Sequence, residues 1–227
     1  MADGADAMRF IDGITGIFQR IKAEDWEKID KASSVISDSL LSGHSVYCLS
    51  EGHIPPLANS FGTPGNPNFF VPYDLLVGHF NYFPTVPMKG DTLLIMGQFD
   101  SSPFVNEVAA KCKVLGAYTI FVGTVADRKV IPLTMPMLSL PQLCDLTIDA
   151  FTPPIEGLLN FPGLEVEACP TAGITSILLF HVLNIEVAEK VSRGAGKSGS
   201  TSDAKGGPSG GKDAETPLFF RGLAEKR

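Results

Sequence analysis

Hydrophobic residues recur with two different periods along the chain. In residues 7–22 and 26–42 they are three or four positions apart, which predicts two amphipathic helices. Gly43 follows at a position where a helix would end. The run from Val46 to Leu49 is rich in β-branched and aromatic residues and predicts a short strand.

The clearest pattern lies between Thr92 and Thr124. A continuous apolar run after Thr92 is typical of a parallel strand that is covered on both faces. A helix is predicted that begins with Pro103 at its first position and stops at Gly116, and the run "AYTIFVGT" predicts the next strand. This unit has the length that a right-handed crossover requires, so it predicts a parallel sheet.

Two later elements complete the predicted core. Residues 146–150 predict a strand, and residues 171–191 predict a long helix. We expect the helix to face the core with the apolar stripe Ile174, Leu178, His181, Ile185 and Ala188. On this interpretation His181 is a core residue rather than a ligand. The predicted fold class is α/β, a three-layer α/β/α sandwich with a mainly parallel central sheet and a flavodoxin-like topology.

The remaining segments differ in composition. Residues 62–87 are rich in Pro, Gly and Asn, yet they contain six aromatic residues, so we expect them to pack on the body or across an oligomer interface. Residues 193–215 are rich in Gly and Ser and predict a flexible linker. We therefore predict a domain at 1–192 and, beyond the linker, a C-terminal docking tail at 216–227 that restores apolar residues.

Composition excludes several functional classes. The net charge is −7 and no cluster of Lys and Arg exceeds a pair, which argues against a nucleic-acid partner. The apolar stretch from Ile174 to Val191 is interrupted by polar residues, and the N-terminus lacks the pattern of a signal peptide, so we expect a cytoplasmic protein without a membrane partner. The four cysteines and four histidines show no metal-ligand spacing. We predict free buried thiols, no metal and no cofactor.

Polar residues follow three of the predicted strands, where ligands bind in open parallel sheets. The first strand ends in a stretch that contains an acid, a glycine and an imidazole, and the second in an amide, an acid and hydroxyls. The candidate residues are Ser50, Glu51, Gly52 and His53 after the first strand, Gln98, Asp100, Ser101 and Ser102 after the second, and Thr124 after the third. Helix N-terminal amides at this edge would favour an anion such as phosphate.

Each candidate also has a purely structural interpretation. Ser101 or Ser102 is the expected N-cap of the following helix, and Asp100 is favoured there by the helix dipole. Asp100 would also repel a phosphate. A lone histidine such as His53 is structural about as often as it is functional.

Motifs along nearly the whole chain outside the linker resemble the SIS (sugar isomerase) domain. The resemblance is to stand-alone sugar isomerase domain-containing proteins that are assigned as phosphoheptose isomerases. Residues Ser50 to Ile54 match a GTGHS-like motif, Pro170 to Ala172 match a Pro-Thr-Ser helix start, and Pro217 to Arg221 match a C-terminal Pro-x-(Phe)-Arg segment. At residues 97–100, where the family has a Ser-x-Ser phosphate loop, this chain has Gly, Gln, Phe and Asp.

The resemblance implies a phosphosugar or a related sugar derivative as the ligand and, as one hypothesis, an aldose–ketose isomerase. That reaction needs a base at a carbon-bound proton and a second group that moves a proton between oxygens. Glu51 is the expected base and His53 the expected acid/base, while Thr171, Ser102 and Arg221 are expected to face the anion. The alternative is a catalytically degenerate subunit that binds a ligand or supports an oligomer. The expected assembly is a homodimer or homotetramer, or a hetero-oligomer with a paralogue.

Overall fold

The computed structural model of the chain describes residues 4–52, 67, 69–73, 86–125, 138–153 and 157–198. We number the described elements in chain order. The helices are α1 (Ala5–Glu24), α2 (Trp26–Leu41), α3 (Pro103–Val114), α4 (Leu140–Leu143) and α5 (Ala172–Ser198). The strands are β1 (Val46–Glu51), β2 (Val71–Tyr73), β3 (Thr92–Gly97), β4 (Tyr118–Gly123), β5 (Leu146–Asp149), β6 (Gly157–Leu159) and β7 (Ala168–Pro170).

The central sheet contains five parallel strands in the order β2-β1-β3-β4-β5. This is the flavodoxin-like order, so the predicted α/β class and parallel sheet are confirmed. One face of the sheet forms a hydrophobic core with α1, α2 and α5, and the other face forms a second core with α3 and α4. The fold is therefore a three-layer sandwich with the described helices on both faces of the sheet.

The strongest sequence patterns are confirmed. Helices α1 and α2 cover the two predicted amphipathic segments, and the β3–α3–β4 unit forms a parallel pair with its crossover helix. Gly116 has a φ of 87° just past the end of α3, a left-handed conformation that glycine adopts without strain. The local signals agreed with the global fold in these segments.

Strand β2 was not predicted. It lies inside the Pro/Gly-rich segment and pairs with β1 at the edge of the sheet. A proline such as Pro72 is tolerated in an edge strand because the outer side of that strand has no neighbouring strand to accept a backbone N–H. Phe69, Phe70 and Tyr73 are buried in this chain, as expected for that segment, and Tyr73 packs edge-on against Tyr47. The other aromatic residues of the segment, Phe80, Tyr82 and Phe83, lie outside the described residues.

The predicted core face of α5 is wrong. The residues that pack into the core include Leu179, Phe180, Leu183 and Val187, whereas none of the predicted stripe is buried. His181 is only half-buried and is not a core residue. The sequence pattern did not identify the buried face because that face contains polar residues. One of them is Thr175, whose Oγ1 donates a hydrogen bond of 3.0 Å to the carbonyl of Thr171.

Helix α5 is also longer than predicted. It continues to Ser198 and so includes residues 193–198 of the predicted linker; the rest of the linker and the tail lie outside the described residues. By length and composition alone, residues 172–194 could cross a bilayer. One face of this helix, however, is packed against the sheet and α2, which is how a core helix of a folded domain is placed.

Candidate functional site

The sheet has its topological switch point between β1 and β3. From β1 the chain moves to β2 on one side, and from β3 it moves to β4 on the other side. Proteins with an open parallel sheet of this kind bind their ligands at that point, beyond the carboxyl ends of the strands. The pairing register places Glu51, Gly97, Gly123 and Asp149 in one row across the ends of β1, β3, β4 and β5.

Glu51 and Ser102 come together at the switch point. The Ser102 hydroxyl donates a hydrogen bond of 2.6 Å to Glu51 Oε1, although the two residues are 51 positions apart in sequence. Ser102 is the N-cap residue of α3, but its side chain does not cap the helix. Instead its backbone N–H donates to Asn106 Oδ1 at 3.2 Å. The Ser102 hydroxyl is therefore used to hold the carboxylate of Glu51.

The two glycines in the row allow the strand ends to approach each other. A Cβ atom at Gly123 would lie 2.1 Å from the carbonyl oxygen of Gly97 and 2.6 Å from the Phe121 ring. A Cβ at Gly97 would lie 3.2 Å from the carbonyl oxygen of Phe99. Phe121 fills the space below both glycines. The middle of the row is thus a closely packed floor with a carboxylate at each end.

Gly52 and Gln98 form the next layer above this floor. Gly52 has a φ of 83°, and a Cβ there would lie 2.8 Å from the Cβ of Gln98. Gln98 is 5% exposed and Asp100 is 3% exposed, so both polar side chains are enclosed by the protein. The carbonyl oxygen of Asp100 accepts a hydrogen bond of 2.7 Å from the N–H of Leu140, which ties the loop after β3 to α4. Ser101 is half-buried beside it.

Two acidic residues, Asp149 and Asp25, lie close together where β5 meets α2. The N–H of Asp149 donates to Asp25 Oδ2 at 2.6 Å, and Asp149 Oδ1 accepts hydrogen bonds from Phe151 N and Val125 N. Burial raises the pKa of the Asp149 carboxyl, and the two backbone donors only partly oppose that effect. Asp25 is paired with Lys28 at 2.8 Å. Helix α2 therefore begins at the carboxyl edge of the sheet.

Helix α5 begins at the same edge. Lys190 binds Asp30, and Gly194 lies against Leu41, so later residues of α5 contact later residues of α2. The two helices therefore run in the same direction. Thr171 precedes the first turn of α5, and its carbonyl accepts from the N–H of Thr175 at 3.0 Å.

Thr171 has an unused hydroxyl. The residue is fully buried, and its Oγ1 finds no hydrogen-bond partner in the described part of the chain. Thr124 and Thr152, at the ends of β4 and β5, are also buried, but their hydroxyls bind each other. No acid occurs in the first turn of α5. An oxygen of an anion could accept a hydrogen bond from Thr171 and face the positive end of the helix dipole.

The structure thus locates most of the predicted site residues. Those that it brings to the carboxyl edge are Ser50, Glu51, Gly52, Gln98, Asp100, Ser101, Ser102 and Thr124, with Thr171 at the start of α5. The predicted acid/base His53 and the predicted cation Arg221 lie outside the described residues.

Sequence reasoning missed Asp149 and Thr152. Asp149 lies near the end of the predicted strand at 146–150 and Thr152 follows it, so extending to this strand the rule that was applied to the other three strand ends would have found them. It also missed Asn106, which lies within α3 and carries no comparable signal. Among the residues that the structure describes, no group of three or more His, Cys, Asp or Glu side chains could hold a metal ion.

Comparisons with known proteins place this geometry in a known fold. The sequence matches no protein-family model and no curated protein sequence. The structure is similar to that of E. coli CFT073 c3406 in complex with A5P, with a TM-score of 0.53 and 15% identity, covering 89% of this chain and 97% of that one. It is also similar to phosphoheptose isomerase GmhA from Neisseria gonorrhoeae, with a TM-score of 0.51 and 13% identity, covering 82% and 99%.

A third similar structure is a protein from Silicibacter pomeroyi DSS-3 that is assigned as a phosphosugar isomerase. The TM-score is 0.51 and the identity 15%, covering 84% of this chain and 51% of that one, so this chain spans about half the length of that protein. At these identities the similarity shows the fold: the chain has an SIS-like α/β fold.

Proposed function

We propose that this protein binds a sugar phosphate in a cleft at the carboxyl edge of its sheet. The observation that carries the proposal is the meeting of Glu51 and Ser102 at the switch point between β1 and β3, the place where this strand order binds ligands. The similarity to a structure that contains A5P supports a ligand of this class.

The charges at the edge indicate which way the ligand lies. Glu51, Asp100 and Asp149 are acids near the ends of β1, β3 and β5, and they would repel a phosphate group. Carboxylates and amides are instead good partners for sugar hydroxyls. The start of α5 has an unused Thr171 hydroxyl and no acid in its first turn. The sugar therefore faces Glu51 and Gln98, and the phosphate faces the first turn of α5.

Two activities fit this binding mode. In an aldose–ketose isomerase, Glu51 would remove a carbon-bound proton, with Ser102 holding its carboxylate in place and His53 moving a proton between oxygens. The alternative is a binding subunit without isomerase activity. It is favoured by the loop after β3, where Gln98, Phe99 and Asp100 stand in place of hydroxyl donors.

Binding is tested by thermal unfolding with a panel of pentose, hexose and heptose phosphates, each beside its unphosphorylated parent sugar. A ligand at 100 times its Kd stabilises the folded state by about 2.7 kcal/mol, which raises the Tm of a chain of this size by roughly 5–10 °C. We expect a saturable rise with a phosphorylated sugar and a smaller rise with its parent. If no sugar phosphate changes the Tm, the proposed ligand class is wrong.

Catalysis is tested separately with the sugar phosphate that binds. Removal and return of a carbon-bound proton in D2O incorporates deuterium into the sugar, which NMR detects even when the net conversion is small. We expect incorporation by the wild type, loss in Glu51→Gln, and no loss in Glu107→Gln, an exposed acid on α3. Saturable binding without deuterium incorporation would leave the binding proposal standing and favour the non-catalytic subunit.

A further inference from the structure

Helix α5 has a second apolar face that the core does not use. We define the outer stripe as Ile174, Leu178, His181 and Ile185. Ile185 is 64% exposed and Ile174 is 44% exposed, while the other two are half-buried. The core face of the same helix is separate and is filled by residues such as Leu183 and Val187. No described residue of the chain covers the centre of the outer stripe at Ile185.

We propose that the C-terminal segment 216–227 of the same chain binds this outer stripe. The segment reads TPLFFRGLAEKR and carries four large apolar residues, namely Leu218, Phe219, Phe220 and Leu223. It follows a stretch at 199–215 that contains no aromatic residue and no Leu, Ile or Val. The first large apolar residues after α5 are therefore those of this segment. Among the described residues, Ile185 of the outer stripe is the exposed large apolar residue that lies nearest to it in sequence.

The connecting chain is long enough for this contact. Ile185 lies 13 residues before the end of α5 at Ser198, which is about 20 Å along a helix. A Gly/Ser-rich chain of the length between Ser198 and Leu218 has a root-mean-square span of roughly 24 Å. The segment therefore reaches Ile185 without stretching. Such a tether gives an effective concentration in the range of about 1 mM, so a weak contact is enough to keep the segment bound.

Limited proteolysis of the full-length chain with chymotrypsin tests the proposal. The enzyme cuts after Phe219 and Phe220, and residues 199–215 offer it no aromatic site. We expect the wild type to be cut there at least fivefold more slowly than a synthetic peptide of residues 213–227. Ile185→Ser should remove the protection, whereas Val114→Ser should not. Val114 is a matched control because it is 87% exposed on α3, on the opposite face of the sheet.

Three results would overturn the proposal. Cutting of the wild type at the rate of the peptide would show that the segment is not bound. Protection that persists in Ile185→Ser would place the segment elsewhere. The third result would assign the outer stripe to a second copy of the chain. It is either protection that disappears on dilution, or an Ile185→Ser variant that loses oligomer mass by light scattering while its protection is unchanged. Circular dichroism confirms that each variant is folded, as expected for substitutions at exposed positions.

Discussion

Replacing Thr171 by valine should stabilise the protein and weaken its ligand binding. The Thr171 hydroxyl is fully buried and has no partner in the described part of the chain, so the folded state bears the cost of removing it from water. That cost is about 1–3 kcal/mol for a buried hydroxyl without a hydrogen bond. Valine has nearly the same shape and no polar group, so it removes the cost without leaving a cavity.

Thr175 provides a matched control one turn later. It is equally buried, but its Oγ1 donates to the carbonyl of Thr171 at 3.0 Å. Thr175→Val therefore loses a hydrogen bond and should destabilise the protein by about 0.5–1.5 kcal/mol. The same substitution on the same helix is thus expected to have opposite signs at the two positions.

Urea unfolding measures both effects as shifts of the midpoint at an unchanged m-value. We expect Thr171→Val to gain about 1–2 kcal/mol, or roughly 2–8 °C in Tm, and Thr175→Val to lose stability. Thr171→Val should also reduce the Tm shift that a sugar phosphate produces, whereas Thr175→Val should retain it. If Thr171→Val is destabilised as much as Thr175→Val, the Thr171 hydroxyl has a partner in solution and the reasoning fails.

Three further perturbations test the packing, the electrostatics and the thiols. Gly123→Ala should destabilise the protein by about 3 kcal/mol or more, because its Cβ would lie 2.1 Å from a backbone oxygen. Gly16→Ala, at an open position on α1, should instead stabilise it by up to about 1 kcal/mol. Equal Tm values for the two variants would contradict the close packing at Gly123. Burial raises the pKa of Asp145, but hydrogen bonds from Thr119 and Lys113 outweigh it and lower the pKa. The stability that Asp145 contributes should therefore be present at neutral pH and lost as the pH falls below about 4, so urea midpoints of wild type and Asp145→Asn should differ at pH 7 and converge in acid. A thiol reagent at pH 8 should modify only the half-buried Cys169 in the native protein, because burial raises the pKa of the other three thiols, to about 11 for Cys112 and about 12 for Cys144; modification of a second thiol before unfolding would refute this.

The parts of the fold that the sequence predicts correctly are those where local and global signals agree. The run from Thr92 to Thr124 combines continuous apolar strands with a helix that starts with proline and ends before glycine, and it forms the β3–α3–β4 unit. Strand β2 is different. It has only three residues and one of them is Pro72, so its pairing with β1 depends on long-range packing that includes Tyr47 and Tyr73.

Helix α5 shows why periodicity alone can select the wrong face. Two apolar stripes wind along it, and the predicted one, in which Ile174 and Ile185 are exposed, is not the one that fills the core. The buried stripe includes Thr175 and Asn184, which look like surface residues in the sequence. Thr175 donates to the carbonyl of Thr171 one turn earlier, so it can be buried at little cost. Asn184 is only partly compensated: its Nδ2 donates to the carbonyl of Phe180, while its Oδ1 has no partner in the described part of the chain. A sequence pattern that counts only apolar side chains does not detect this compensation.

The candidate site was predictable as a location but not as an arrangement. The rule that ligands bind at strand ends identifies Glu51 and Ser102 separately, yet it does not indicate that they bond to each other at 2.6 Å. The sequence suggested that the Ser102 hydroxyl donates to the anion of a ligand. In the structure it donates to the carboxylate of Glu51. Likewise the sequence identifies Thr171 only through a short motif, and its unused hydroxyl becomes visible only when its surroundings are packed.

The distribution of polar groups around the sheet edge follows from the alternation of side chains along parallel strands. Glu51 and Asp149 are in register and share the face of the sheet that packs on α3, because Leu49 and Phe121 of the same register set pack there. Thr124 lies one position beyond and faces the side that carries α2 and α5. One face of the edge therefore carries the acids Glu51 and Asp149, which form no salt bridge within the described part of the chain, while the other carries the Thr124 hydroxyl, the start of α5 and Asp25, whose charge is balanced by Lys28. A ligand with a neutral polyol at one end and an anion at the other matches this polarity, whereas a neutral sugar satisfies only the acidic half. This asymmetry is why the phosphorylated sugar, rather than its parent, is expected to give the larger thermal shift.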